Sequence, residues 1–389
     1  MRLHSTAMTA RTVLTLAGLS LVAACSDNGP ATEPQPPQLD GRQIFRFDTF
    51  GDETFWTDTL RMHEVIQAAV DPVTALSVGL KVDADALPPG ILASADLHDP
   101  ATTVALLKLN AVVGLQGTVE TVNGKDTLTS VGITCALCHS SVDNSTAQGI
   151  GHRLDGWPNL DLNPGAIIAL SPALTADQKA VYNSWGPGRY DPRYNRDGLN
   201  GPVPIPPAYG LAGVSLATAT GDGDISYWNA YVAITQMHGH GTFVDPRIGA
   251  DIHQTPDLVT PKLPALKAYQ VSLPAPPPPA GSFDAAAAAR GATVFAGAAR
   301  CASCHIPPTF TDDRLHDPSE VGADPGYAQR SATRQYRTTP LRALWQHAPY
   351  FHDGSAATLD DVVAHYESVQ QLQLTPEQRA DLVEYLKSL

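Results

Sequence analysis

The pattern Cys-x-x-Cys-His occurs twice in this chain, as Cys135-Ala-Leu-Cys138-His139 and as Cys301-Ala-Ser-Cys304-His305. Two thiols at this spacing, followed at once by an imidazole, suit covalent attachment of haem: the sulfurs add to the vinyl groups and the adjacent histidine reaches the iron. Short-loop disulfides, or a zinc site drawing on both pairs, leave unexplained a histidine that stands in the same place twice. The sequence therefore predicts two covalently bound haem c groups, with His139 and His305 as proximal ligands. A chain built around two such groups must close a pocket over each.

Arg2 and Arg11 precede the apolar run Val13 to Ala24, which is too short to span a bilayer and reads as a signal peptide over residues 1–24. It ends in Leu21-Val-Ala-Ala-Cys25, which resembles the lipobox of bacterial lipoproteins. The resemblance implies that Cys25 is acylated and becomes the new N-terminus, anchoring the protein to a membrane without spanning it. The alternative is an ordinary cleaved signal that leaves Cys25 a free thiol. Both readings predict export, to the periplasm or the cell surface. Of the five cysteines, one then takes lipid and four take haem, leaving none for a disulfide.

The net charge is −14, and the signal carries two arginines but no acidic residue, so the mature chain is more acidic still. That excludes a nucleic-acid binder and suits a basic redox partner protein in the periplasm.

Residues 25–40 are rich in proline and polar side chains and read as a flexible tether. A second proline run, Pro274 to Pro279 followed by Ala280-Gly281, reads as a stiff linker, and a domain boundary is expected there. The expected fold is mainly α, with two cytochrome c-like domains over 41–273 and 282–389. The segments ending each half look alike: Ala265-Leu-Lys-Ala-Tyr-Gln-Val-Ser-Leu273 against Asp381-Leu-Val-Glu-Tyr-Leu-Lys-Ser-Leu389. They point to an internal duplication, each unit closing with a helix.

In the second unit Thr375, Pro376 and Gln378 predict a capped helix with Leu382, Tyr385, Leu386 and Leu389 on one face. Phe283 to Ala299 reads as an Ala-rich helix in which Gly291 permits a close crossing and Phe295 packs nearby; such a helix pair resembles the cytochrome c fold. In the first unit, Asn123-Gly124 between alternating runs predicts a β-hairpin leading into the haem loop. Residues 41–116 read as an N-terminal extension of mixed helix and loop, a cover over the first haem.

The ligand opposite each histidine decides between electron transfer and chemistry at iron. No methionine follows Cys301, so the second haem has no such ligand from its own domain; His316, His347, His352, His365, Tyr350 and Tyr366 remain. For the first haem Met237 is the distal candidate, near the end of a helix starting at Ser226. His238 or His240 as ligand, or an open iron, are the alternatives.

The run Thr339-Pro-Leu-Arg342, Ala348-Pro-Tyr-Phe-His-Asp-Gly354, Ala357-Thr-Leu359 and Val362-Val-Ala-His-Tyr366 resembles the C-terminal domain of bacterial dihaem cytochrome c peroxidases and MauG enzymes. That resemblance implies that Tyr366 stands where the peroxidases carry a distal methionine and MauG a tyrosine. Helical spacing agrees, since Leu359, Val362, Val363 and Tyr366 share a face from which His365 points away. A core tyrosine is the alternative. Trp228 loosely resembles the tryptophan placed between haems in that family. The first unit departs from the family: it lacks the peroxidase motifs and has no counterpart of the glutamate used for peroxide cleavage. The expectation is a membrane-tethered dihaem cytochrome that transfers electrons; the alternatives are a peroxidase, or an oxygen-activating enzyme of the MauG or rubber-oxygenase kind.

Overall fold

The computed structural model describes residues 39–389. The signal peptide and Cys25 lie outside them, as does most of the tether. The first half opens with helix α1 (Gly41–Phe47), started by the Asp40 carboxylate, which accepts from the backbone N–H groups of Arg42 and Gln43. A π-helical stretch, Thr54–Thr59, leads to α2 (Met62–Ala69), which buries Met62 and Ile66. Helix α3 (Pro100–Lys108) has Pro100 in its first turn, where the missing N–H costs nothing, and buries Val104, Leu106 and Leu107.

Strands β1 (Leu115–Val122) and β2 (Lys125–Ile133) pair antiparallel, Leu115 opposite Ile133 and Val122 opposite Lys125. The turn is the expected one: Asn123 and Gly124 take φ of 52° and 78°, as a type I′ turn requires of both central residues. The hairpin delivers the chain directly into the single helical turn Ala136–His139. Helix α4 (Ile225–Thr235) is capped by Asp224 and buries Trp228, Tyr231, Ala233 and Ile234 around most of its circumference, as befits a central helix. It ends two residues short of Met237. Helix α5 (Leu263–Ser272) closes the half.

The Pro274–Gly281 stretch carries no helix or strand. After it, α6 (Ala285–Ala296) begins at an Asp284 cap. A short ribbon of β3 (Leu315–His316) and β4 (Tyr336–Arg337) comes after the second motif. Capping boxes at Thr358 and Thr375 then start α7 (Leu359–Val369) and α8 (Pro376–Ser388). Helices dominate, and every sheet among the described residues is a two-stranded ribbon. No helix among them is long and apolar enough to cross a membrane.

The same helix crossing occurs twice. In α6, Gly291 lies so close to α8 that a Cβ there would sit 2.0 Å from the Asp381 carbonyl oxygen and 2.8 Å from Tyr385 Cβ. In α1, a Cβ on Gly41 would sit 2.1 Å from the Ala265 carbonyl oxygen and 2.7 Å from Tyr269 Cβ. The positions met are those that align in the two closing helices. One turn beyond each glycine a phenylalanine packs on the same tyrosine, Phe45 on Tyr269 at 5.6 Å and Phe295 on Tyr385 at 5.2 Å. Residues 41–47 thus supply the first helix of the first half's crossing, and the insertion begins only after them.

Apolar clusters mark the consequence. One core gathers on the α1/α5 crossing with Phe45, Tyr231, Met237 and Leu266, and another on the α6/α8 crossing with Phe295, Leu344, Val363 and Leu382. A third, with Met62, Ile66, Leu107, Leu128 and Trp185, is built largely by the insertion. Both halves belong to one compact unit. Between them Arg330 bonds Asp191 at 3.0 Å and Asp197 at 2.7 Å, and the Tyr209 hydroxyl donates to Gln346 at 2.9 Å.

Candidate haem sites

The two motif histidines are held alike. His139 Nδ1 lies 3.0 Å from the Pro206 carbonyl oxygen, and His305 Nδ1 lies 3.0 Å from that of Phe310. A carbonyl only accepts, so the proton sits on Nδ1 in both rings and the Nε2 lone pair is left for a metal. Burial keeps the rings neutral, pushing His139 down to about 4 and holding His305 below the usual histidine range.

The four motif thiols are unpaired. Burial pushes Cys135 and Cys138 up to about 12 and Cys301 up to about 11, so the motif sulfurs are held as thiols. Among the described residues the one cluster with metal-ligand spacing is Cys304, Asp312 and His316, so the two cysteine pairs do not converge on a shared ion.

Both motifs open onto one continuous cavity of about 1370 Å³, beyond the roughly 300–1000 Å³ of a single ligand pocket. Its walls include every described site residue that the sequence predicts: Cys135, Cys138, His139 and Met237, with Cys301, Cys304, His305 and Tyr366. Free thiols, pre-set imidazole tautomers and a large apolar enclosure together fit covalent haem.

Met237 is buried, and its carbonyl accepts from Trp56 Nε1 at 3.1 Å. Its neighbours His238 and His240 do not reach the cavity wall. His238 takes a left-handed φ of 64°, which turns the chain away, and its ring stacks on Phe55 at 3.6 Å. In the second half, the Tyr366 hydroxyl makes no hydrogen bond among the described residues, and the sulfurs of Cys301 and Cys304 lie within its electrostatic reach. Burial pushes its phenol up to about 12. His365 lines the same cavity, with its Nε2 2.9 Å from the Val321 carbonyl oxygen.

The other candidate histidines are engaged or enclosed. His316 Nε2 lies 2.9 Å from the Thr338 hydroxyl, and His352 Nε2 lies 2.9 Å from the Tyr336 hydroxyl. Because that hydroxyl already donates to the Asp324 carbonyl, His352 is the donor of its pair. His347 Nε2 is enclosed without a partner, and burial holds that ring neutral, down to about 4. Trp228 lines the cavity, and Arg193 stacks at 5.6 Å from it and 5.5 Å from Tyr327 of the other half.

Sequence reasoning passed over Met62, which precedes the first motif by many residues yet lines the same cavity through α2. Its signal was the apolar face of α2, which does not say what the face covers. Another missed feature is the charge of the walls. Among the described residues, those from the first half contain no carboxylate, whereas the second half contributes Glu320, Asp324 and Asp353.

Comparison with known proteins agrees with the second half. The family model described as Cytochrome c matches residues 288–389. The methylamine utilization protein MauG of Methylorubrum extorquens is 34% identical over 120 residues, covering 26% of this chain and 34% of that protein. MauG of Methylophilus methylotrophus is 31% identical over 121 residues (26% and 36%), and the cytochrome-c peroxidase IdrP1 of Denitromonas iodatirespirans is 27% identical over 151 residues (27% and 40%). The chain thus spans well under half the length of these relatives. Among solved structures, a MauG-like protein associated with microbial copper homeostasis is similar with a TM-score of 0.35 and 19% identity, over 50% of this chain and 75% of that one. Hydrazine synthase of Kuenenia stuttgartiensis gives 0.34 and 20%, over 50% and 74%. The C-terminal residues 288–389 are a cytochrome c domain with covalently bound haem c, and its relatives include MauG and a cytochrome c peroxidase.

Proposed function

We propose that the chain is an exported, membrane-anchored dihaem cytochrome that passes electrons between protein partners, with one haem c at each Cys-x-x-Cys-His motif. In this reading Cys135, Cys138 and His139 hold the first haem and Cys301, Cys304 and His305 the second, with Met237 and Tyr366 as distal ligands and Cys25 as the lipid anchor. Bound haem supplies a one-electron couple. The protein's part is to hold the imidazole tautomers through Pro206 and Phe310, to exclude water with apolar walls, and to keep both groups in one enclosure.

The observation that carries the reading is the shared cavity joined to the absence of any carboxylate on its first-half walls. Peroxide cleavage calls for a side chain that takes and returns a proton beside the iron. Among the described residues the first-half walls have none of the acidic kind, the cavity's three carboxylates coming from the second half, whereas two haems in one enclosure suit a relay. The second reading, reduction of hydrogen peroxide or activation of oxygen, is favoured by Tyr366: tyrosinate ligation stabilises high oxidation states of iron.

EPR and optical spectra of oxidised and half-reduced protein, with and without hydrogen peroxide, test the choice. Two haems that stay low-spin and unchanged by peroxide are expected. A haem that turns high-spin on half-reduction and consumes peroxide would replace electron transfer with the enzymatic reading. Mass spectrometry of the membrane fraction tests the anchor, through a lipid-modified N-terminal Cys25.

A further inference from the structure

The side chain of Arg337 lines the cavity where β4 of the second half meets the loop 216–221 of the first. One guanidinium nitrogen donates to the Leu216 carbonyl, while Nε is enclosed with no partner. Among the described residues no carboxylate lies within ion-pair distance of it, and Asp313 acts only at longer range. Burial pulls its pKa down to about 10, so it is still a cation at neutral pH.

An ionised group taken out of water without a counter-charge is among the costliest arrangements in a protein. The other buried guanidinium groups show what is missing here: Arg193 meets Asp222 at 2.6 Å and Arg153 meets Asp83 at 2.9 Å. Arg342, on the same cavity, is less enclosed and bonds the Gly210 and Ala212 carbonyls. Among the described residues Arg337 combines an enclosed Nε, a place on the wall and no anionic partner. The missing anion must then come from the group that fills the cavity.

We propose that Arg337 binds a propionate carboxylate of the haem attached at Cys301 and Cys304, as its counter-ion. The second haem is chosen because β4 runs directly into Thr338, which accepts from Thr311 and meets His316, and into Thr339, whose backbone meets His305. A guanidinium forks onto a carboxylate with two parallel N–H bonds, a geometry an ammonium cannot copy. A fixed cation beside the haem also favours the reduced state, because it stabilises the added electron. This inference rests on haem being held at the second motif.

The test uses holoprotein carrying Arg337→Gln and Arg337→Lys, with a pyridine haemochrome count on each preparation to establish haem content separately. Resonance Raman spectra report the propionate bending mode, and potentiometric titration reports both haems. In Arg337→Gln the second haem's propionate mode shifts, and its ferrous/ferric equilibrium moves at least tenfold toward ferric, about 59 mV for one electron. In Arg337→Lys the mode still shifts, while the potential stays within about threefold of the wild-type equilibrium, since the charge is kept but the fork is lost. If Arg337→Gln fails to fold, the Raman result for Arg337→Lys decides alone. Full haem content with an unshifted propionate mode, or a shift confined to the first haem, overturns the proposal and leaves the dihaem reading standing.

Discussion

Between α1 and its Cys-x-x-Cys-His motif the first half inserts everything from Asp48 to Thr134, whereas Gly297 to Arg300 is all that separates α6 from Cys301. Both halves nevertheless make the same crossing, with Gly41 against Ala265 and Gly291 against Asp381. The insertion adds a wall: Trp56, Met62, Ile66 and Val70 enclose the cavity on the side of His139. The second half, lacking it, lines its share with Tyr327, Tyr336, His352 and Asp353. A common frame thus carries two motif histidines, and among the described residues only the second half puts carboxylates on the cavity wall. The frame positions the imidazole, and the added segments choose what faces it.

The largest expected effects come from removing one imidazole at a time. His139→Ala and His305→Ala should each abolish the ligand-field bands of one haem and leave the other's intact, measured by EPR of the oxidised protein. Loss of both signals in either variant would break the picture of two separately framed sites. Distal variants sharpen it: Tyr366→Phe should alter only the second haem, and Met237→Ala only the first. If Met237→Ala leaves the first haem's spectrum unchanged and Met62→Ala changes it, the ligand comes from the insertion.

The crossings themselves come next. Gly41→Ala and Gly291→Ala both drive a Cβ into a backbone carbonyl that cannot move aside, and each should cost about 1–3 kcal/mol by denaturant titration. Tolerance at Gly41 with loss at Gly291 would deny that α1 is the counterpart of α6.

A smaller contrast concerns pH. The enclosed His347 titrates at about 4 in the folded protein, below its ordinary value of 6.5. Between those values the unfolded chain binds more protons, so stability is full above about 6.5 and falls as pH drops toward 4. His347→Gln should flatten that slope without abolishing it, because His352 and His238 are also held low by burial. An unchanged slope would exclude His347 as a contributor. Smallest of all, Gly124→Ala in the hairpin should cost about 1 kcal/mol for its left-handed φ of 78°, measured by thermal unfolding.

Several local features are legible in the residues alone. Thr375 and Gln378 announce α8, Asn123-Gly124 announces the hairpin, and Gly291 with Phe295 announces the second crossing. Each depends on side-chain-to-backbone bonds, turn dihedrals or spacing within a few residues. The first crossing is hidden because α1 stands far from its motif, and its seven residues read as part of an extension. On sequence Met237 is the distal candidate with His238 or His240 as alternatives; in the fold Met237 lines the cavity, while a left-handed φ turns His238 onto Phe55.

By itself the sequence determined covalently bound haem c and the capped start of α8, since attachment and capping are written in adjacent residues. Only the tertiary structure decided that both motifs face one cavity, that Met62 shares the first site, and that Arg337 lies there without a counter-ion. Those outcomes arise from packing between distant segments. Apolar burial rewards any well-filled arrangement without regard to direction, so the chain's local signals cannot name which walls will meet.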